Sequence, residues 1–457
     1  MQRTLVLLVV GLTPKMVGEN TPNIQRIAQN GALRRLGAIT PAVTCSAQAT
    51  LMTGLAPTDH GIVANGWYFR DLGEAWLWRQ SERLVGGEFL WDAAKKRNAS
   101  FTCAKLFWWY NMYGSADIAA TPRPMYPADG RKLPDVWTQP TKLRDELQEK
   151  FGPFPLFKFW GPAADITCSR WIADASKHIY ETRKPTLTLV YLPHLDYNLQ
   201  RLGPDHPDIA KDLRDIDAVC APLIEAAQKD GTRVVVCSEY GMTKVRAGVH
   251  INRALREAGL IEVREELGRE VLITGSSDAF AVADHQIAHI YVQKPELIPQ
   301  VKSLLEKLDG VDVVLDEQGK REYGLAHERS GELVAISKPD RWFTYYYWLD
   351  DDKAPDYART VDIHRKPGYD PVELFIDPTI RLPKLKIASL LAKKMLGFRT
   401  LLDVVSLDDT LVKGSHGRIT DDPDEGPVFI TDAPDLLPEG DIQPTHFKDI
   451  VLKHIFD

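Results

Sequence analysis

The 457-residue chain has few cysteines, no long apolar run and no large excess of one charge sign, and each shortage narrows what it can be. Its five cysteines, Cys45, Cys103, Cys168, Cys220 and Cys237, are scattered, odd in number and without CxxC spacing. That argues against a disulfide framework or a zinc ribbon and fits reduced thiols in a cytoplasmic protein. The apolar run at the N-terminus, Leu5 to Val10, is too short to span a bilayer, and no small-residue cleavage site follows it. It reads better as a first buried strand, and no membrane partner is expected. A formal net charge of −7 gives no basic footprint, so no nucleic-acid partner is expected either. The sequence has no internal repeat and no low-complexity tract.

What is present is ordinary globular composition, 44% hydrophobic and 26% charged, enough for a sizeable core. Short β-branched runs ("TLVLLVV", "SFTCAKLF", "TLTLVYL", "TRVVVCS", "IAHIYV", "VDVVL", "ELVAIS") recur between amphipathic stretches such as "NIQRIAQNGA" and "DIAKDLRDIDAVCAPLIEAAQKDG". The alternation predicts an α/β fold, a mainly parallel central sheet with helices on both faces. One domain over residues 1–457 is expected, with aromatic- and proline-rich insertions at 108–169 and 342–383. These stretches read equally as lids over a ligand or as satellite hydrophobic clusters under long loops.

One strand end stands out. In "RVVVCSEYGMT", Val234 to Cys237 form a buried strand that ends in Ser238, Glu239, Tyr240 and Gly241. Open α/β proteins place active sites at such ends. Upstream, "PAVTCSAQATLMTGLAPTDHGIVANGW" holds Thr44 at the head of a helical pattern, then Thr53-Gly54, His60-Gly61-Ile62 and Asn65. "LVYLPHLDYNLQRLGPDH" carries Asp196 and Gln200, and "LVKGSHG" carries His416.

In order and spacing these motifs resemble the alkaline phosphatase superfamily, in particular its nucleotide pyrophosphatase/phosphodiesterase and phosphonoacetate hydrolase branch. The resemblance runs from Leu5 to about Gly417. It implies a site in which two divalent ions clamp a phosphoryl group and activate a Thr or Ser hydroxyl for in-line attack. Carried over, it places Thr44 as nucleophile and Asn65 as donor to a phosphoryl oxygen. It places Asp196, Gln200 and His416 at one ion, and Glu239 and Tyr240 at the other. Four of these positions depart from the family pattern. Val10 stands for an Asp ligand, Gln200 for a His, Glu239 for an Asp and Tyr240 for a His. Valine cannot ligate, and a phenol ligates only as phenolate. The expectation is therefore at most one tightly bound divalent ion, zinc by the resemblance.

Substitute ligands are sought in "SDAFAVADHQIAHIYV", which offers Asp284 and His285, and in "LAHERSGEL", which offers His327. His194 lies two residues before Asp196, and on an extended segment both would share a face. His364, Arg365 and Lys366 are candidates to meet a phosphate. Each residue also has an ordinary role to weigh: Thr44 as a helix cap, Glu239 as an ion-pair partner of Arg246 or Lys244, Cys45 as a buried small hydrophobe. Two functions follow. One is a metal-assisted hydrolase of phosphodiester, pyrophosphate or phosphonate bonds in a small molecule. The other is a divergent relative that only binds a phosphorylated or anionic small molecule.

Overall fold

The computed structural model describes residues 1–457. Eight strands form the central sheet: β1 (Thr4–Val9), β2 (Ala32–Arg35), β3 (Cys103–Leu106), β4 (Ile118–Pro122), β5 (Val136–Gln139), β6 (Leu187–Leu192), β7 (Arg233–Cys237) and, last in the chain, β12 (Val428–Thr431). Their order is β2-β12-β7-β1-β6-β3-β4-β5. The five strands from β7 to β4 run parallel, and antiparallel pairs finish both sides. β1 is buried along its whole length between β6 and β7. A strand covered on both faces has no polar side to present, which explains the unbroken apolar run in the sequence.

Three of the runs expected in the main sheet lie elsewhere. β8 (Ala279–Asp284), β9 (Ile287–Val292), β10 (Val311–Leu315) and β11 (Leu333–Ser337) form a second, antiparallel sheet ordered β8-β9-β11-β10. Buried strands carry the same β-branched residues whichever sheet they join, so composition alone does not assign them. The first aromatic stretch, 108–169, also contributes β4 and β5 to the edge of the main sheet.

Helices cover the sheet. The site depends on α1 (Pro22–Asn30), α2 (Thr44–Thr53), α3 (Ile166–Arg183), α4 (His194–Leu202) and α5 (Ile209–Lys229). α2 is buried on every side, which is why its sequence has no polar stripe. α1 is fixed by Asp217 of α5, whose carboxylate accepts from the backbone N–H groups of Asn23 and Ile24 at 3.1 and 3.0 Å. α4 begins at His194 itself, which corrects the extended reading of that segment. Two residues apart on a helix lie about 200° apart, so His194 and Asp196 point opposite ways.

Candidate active site

The parallel strands deliver their C-terminal ends to one edge of the sheet, and a cleft opens there. Thr44, Asp196, Tyr240, His285 and His416 line its floor. Trp78, Trp109, Phe159, Trp160, Ile363 and Tyr369 form its walls, so both aromatic stretches contribute. The cavity volume is about 60 Å³, room for a group of a few heavy atoms such as a phosphoryl, since one water needs roughly 10–15 Å³.

Thr44 is the first residue of α2; the cap position belongs to Val43, which makes no side-chain capping bond. The threonine hydroxyl therefore stays free of the helix and sits where the α2 dipole favours an anion. Asn65 lies just behind. Its Oδ1 accepts from the Cys45 N–H at 2.9 Å, and its Nδ2 donates to Asp284 Oδ1 at 3.0 Å. The Asn65 backbone N–H donates to the other Asp284 oxygen at 2.7 Å. Asp284 thus fixes the amide and leaves one of its N–H bonds unspent.

His285 follows Asp284 in the β8–β9 turn with a φ of 60°, a left-handed conformation uncommon outside glycine. The turn carries the imidazole over the cleft, with Nδ1 at 2.7 Å from Asp284 Oδ1. The ring stacks on Tyr369 at 3.6 Å and sits 3.7 Å from the His416 ring. Burial holds both imidazoles well below their usual pKa, which favours their neutral forms.

The opposite side of the floor is cross-linked by hydrogen bonds. The Tyr240 hydroxyl lies 3.3 Å from Thr44 Oγ1 and donates to Asp196 Oδ1 at 3.2 Å. The Tyr240 ring stacks at 3.6 Å on His416. Gln200 donates to Asp196 Oδ2 at 2.7 Å and accepts from the Tyr369 hydroxyl at 3.0 Å. Glu239 accepts from Gln48 at 2.9 Å, and its second carboxylate oxygen has no partner. Burial raises Asp196 to about 7, opposed by Gln200 and Tyr240, and raises Glu239 to about 8, opposed by Gln48 and Thr44. Asp284 is raised to about 6, again by burial, with the Asn65 backbone pulling it down.

This donor set does not fit a two-ion centre. Val10, the residue after β1, is a fully buried aliphatic. The Tyr240 phenol is pushed well above its ordinary pKa by burial, so the phenolate needed for ligation is disfavoured. Gln200 has its carbonyl oxygen committed to Tyr369. Asp196 Oδ1 and His416 Nε2, 3.9 Å apart, are the pair left facing each other. The group whose donor atoms do gather within 4.8 Å is His194, Asp212 and Asp215. It lies between α4 and α5, where Asn198 donates to Asp212 and Lys211 to Asp215.

The remaining candidates fall outside the cleft. His194 turns to Asp212, 3.2 Å away. His327 accepts from the Arg329 N–H, beside Gly61. Lys366 is buried between Asp370 and Glu373, 2.7 Å from each, and is not free to meet a phosphate. His60 holds the turn after α2, bonded to Thr50 and to the Ile62 N–H. Arg246 pairs with Asp340 rather than with Glu239. Two contributors went unnamed in the sequence reading. Gln48, one turn into α2, clamps Glu239, and Tyr369 closes the cleft over Gln200 and His285. Gln48 sits one helical turn after Thr44 on the same face, a spacing that could have pointed to it.

A parallel sheet with polar side chains and a buried helix head gathered at its C-terminal edge gives an α/β fold with a phosphoryl-sized cleft. The sequence profile of the type I phosphodiesterase/nucleotide pyrophosphatase family matches residues 4–370, and the chain belongs to that family of hydrolases. The superfamily is one of divalent-metal-dependent enzymes. An uncharacterised pyrophosphatase/phosphodiesterase of Schizosaccharomyces pombe is 25% identical over 233 residues, 49% of this chain and 41% of that protein. The structure is similar to that of phosphonoacetate hydrolase from Sinorhizobium meliloti in complex with phosphonoformate, at a TM-score of 0.62 and 15% identity, covering 99% and 96% of the two chains. Inactive murine ectonucleotide pyrophosphatase/phosphodiesterase 5 in complex with AMP matches at a TM-score of 0.60 and 14% identity, over 100% and 95%. Both likenesses concern the fold.

Proposed function

We propose that the protein hydrolyses a phosphodiester, pyrophosphate or phosphonate bond in a small molecule, with Thr44 as the nucleophile. The observation that carries this reading is the Thr44 hydroxyl at the head of α2 on the cleft floor, hydrogen-bonded to Tyr240, which in turn donates to Asp196. The Thr44 proton passes to the Tyr240 oxygen as the Tyr240 proton passes to Asp196. The threonine oxygen attacks phosphorus; the leaving group, an oxygen in a diester or pyrophosphate and a carbon in a phosphonate, departs on the opposite side and takes a proton from water; a second water later cleaves the threonine ester. The first-turn N–H groups of α2 other than that of Cys45, which is held by Asn65, and the unspent Asn65 N–H meet the phosphoryl oxygens. The aromatic walls suit a planar or apolar leaving group. Relatives that bind phosphonoformate and AMP support a phosphorylated or phosphonate substrate here.

On metal, Asp196 and His416 offer two donors to at most one divalent ion. Zinc is one of the ions that an imidazole suits, and no step of the reaction is assigned to it. Five buried, unpaired thiols support a reducing compartment such as the cytoplasm.

A second reading has its own support. Tyr240 stacked on His416 and bonded to both Thr44 and Asp196 closes the ion-binding side with organic groups. A protein so altered binds an anionic small molecule without turning it over. Activated phosphodiesters, pyrophosphate and phosphonoacetate, each assayed with and without zinc, separate the two. Turnover lost in Thr44→Ala is the expected result. No turnover of any of them, together with retained binding of AMP or phosphonoformate, would establish the binder.

A further inference from the structure

The densest run of exposed large apolar side chains along the chain, none of which lines the cleft, lies on α6 (Pro383–Met395) and the turn that follows it. No residue of α6 is buried. Ile387 and Leu390 are half-buried on its inner side. On the outer side Leu385, Leu391, Met395 and Leu396 are 64%, 50%, 88% and 77% exposed, and Phe398 beyond the helix is 63% exposed. Leu382, Leu401 and Leu402 extend the patch at both ends. A soluble face would not put this many large apolar side chains together in water.

The charge of the segment is as one-sided as its apolar face. Between Asp377 and Asp403 there is no acidic residue, whereas Arg381, Lys384, Lys386, Lys393, Lys394 and Arg399 are all basic, in a chain whose net charge is −7. Lys386 is tied to Asp403 at 3.1 Å and Arg399 to the Ala128 carbonyl at 3.3 Å. These bonds, with the bridge between Ile376 and Val405, anchor the base of the arm. The other four cations have no acidic partner within the chain.

We infer that this arm docks the protein onto an anionic lipid surface, with the leucines, Met395 and Phe398 inserted at the headgroup–acyl boundary and the lysines on lipid phosphates or carboxylates. An amphipathic basic helix lying in the interface has this composition. No helix of the structure is long and apolar enough to cross a bilayer; a search for spans alone passes over such an arm. A second copy of the chain is a poorer occupant, because two such faces would oppose like charges. The groove of an acidic protein takes a single apolar stripe. Here the apolar surface continues past the helix end through Phe398 and Leu402, a breadth that a bilayer accommodates.

The test is flotation of the full chain with vesicles of phosphatidylcholine alone and of phosphatidylcholine mixed with phosphatidylserine. Binding is expected only to the mixed vesicles and weakens as salt is raised. The paired change Lys393→Glu/Lys394→Glu and, separately, Leu391→Ser/Met395→Ser should each lower that binding roughly tenfold or more. Both pairs are exposed, so circular dichroism and melting should match the parent. Absence of binding to mixed vesicles, or equal binding by parent and variants, overturns the inference. So does a parent that self-associates in gel filtration while Leu391→Ser/Met395→Ser is monomeric, or tight capture of the arm by an acidic protein such as calmodulin without any vesicle binding.

Discussion

The two sides of the cleft floor differ in how their polar groups are satisfied. On the side of α2 and the β8–β9 turn, Asp284 accepts from Asn65, Asn65 accepts from the Cys45 N–H, and Thr44 beside them opens onto the cleft. On the side of β7 and α4, Asp196, Gln200, Tyr240 and Tyr369 satisfy one another. Groups that would ligate an ion must present lone pairs toward a common point. Here the lone pairs of Asp196 and Gln200 accept hydrogen bonds instead, and Tyr240 lies between Thr44 and Asp196. A cleft can therefore keep the geometry that holds a phosphoryl group while giving up the geometry that holds two cations, because the two jobs are done by different strand ends.

The largest test of this contrast is Thr44→Ala. It should reduce turnover by about a thousandfold or more, since the attacking oxygen is gone. Measured on an activated phosphodiester with melting followed in parallel, equal activity in the variant would remove Thr44 from the chemistry. Next comes Asp284→Asn, which disturbs the carboxylate that orients Asn65 and His285. It should lower kcat by roughly a hundredfold, the scale of losing one oriented donor; a change confined to KM would assign Asp284 to binding only.

On the other side, Tyr240→His replaces a phenol by a neutral imidazole and should tighten zinc binding by about tenfold or more in titration calorimetry. Two zinc ions held tightly by the parent protein, counted by elemental analysis, would break the contrast outright. The smallest effect expected is on stability. Burial pushes the Glu239 carboxyl up to about 8 from an ordinary 4.5. In that window the unfolded chain ionises while the folded one stays protonated, so stability falls as pH rises through it and levels off above. Glu239→Gln keeps an acceptor for Gln48 and removes the titration. Its melting temperature should gain on the parent between about pH 5 and pH 8 and hold a constant lead beyond. A lead independent of pH would mean that Glu239 is ionised in the folded protein.

Much of the fold was legible because burial writes itself into local sequence. The apolar runs at Leu5–Val10, Leu187–Leu192 and Val234–Cys237 are the three central strands. Thr44 could be placed at a helix head, and the polar cluster after Cys237 at a strand end, from neighbouring residues alone. His194 could not be placed, because helix and strand readings of "PHLDYN" put it on opposite sides of Asp196. Asp284 and His285 were nameable as ligand types, but their union with Asn65 joins residues 219 positions apart.

The residue types along the chain set which chemical groups are available: Thr44 and Asn65, with Val10, Gln200, Glu239 and Tyr240 at the positions where the resemblance expects metal ligands. What those groups do to one another follows from the folded arrangement. Whether Gln200 offers its oxygen to an ion or to Tyr369, and whether Tyr240 points at solvent or bridges Thr44 and Asp196, depends on hydrogen bonds between distant strands and helices. Such bonds depend on direction and on separations of about 3 Å, which no pattern along the chain encodes.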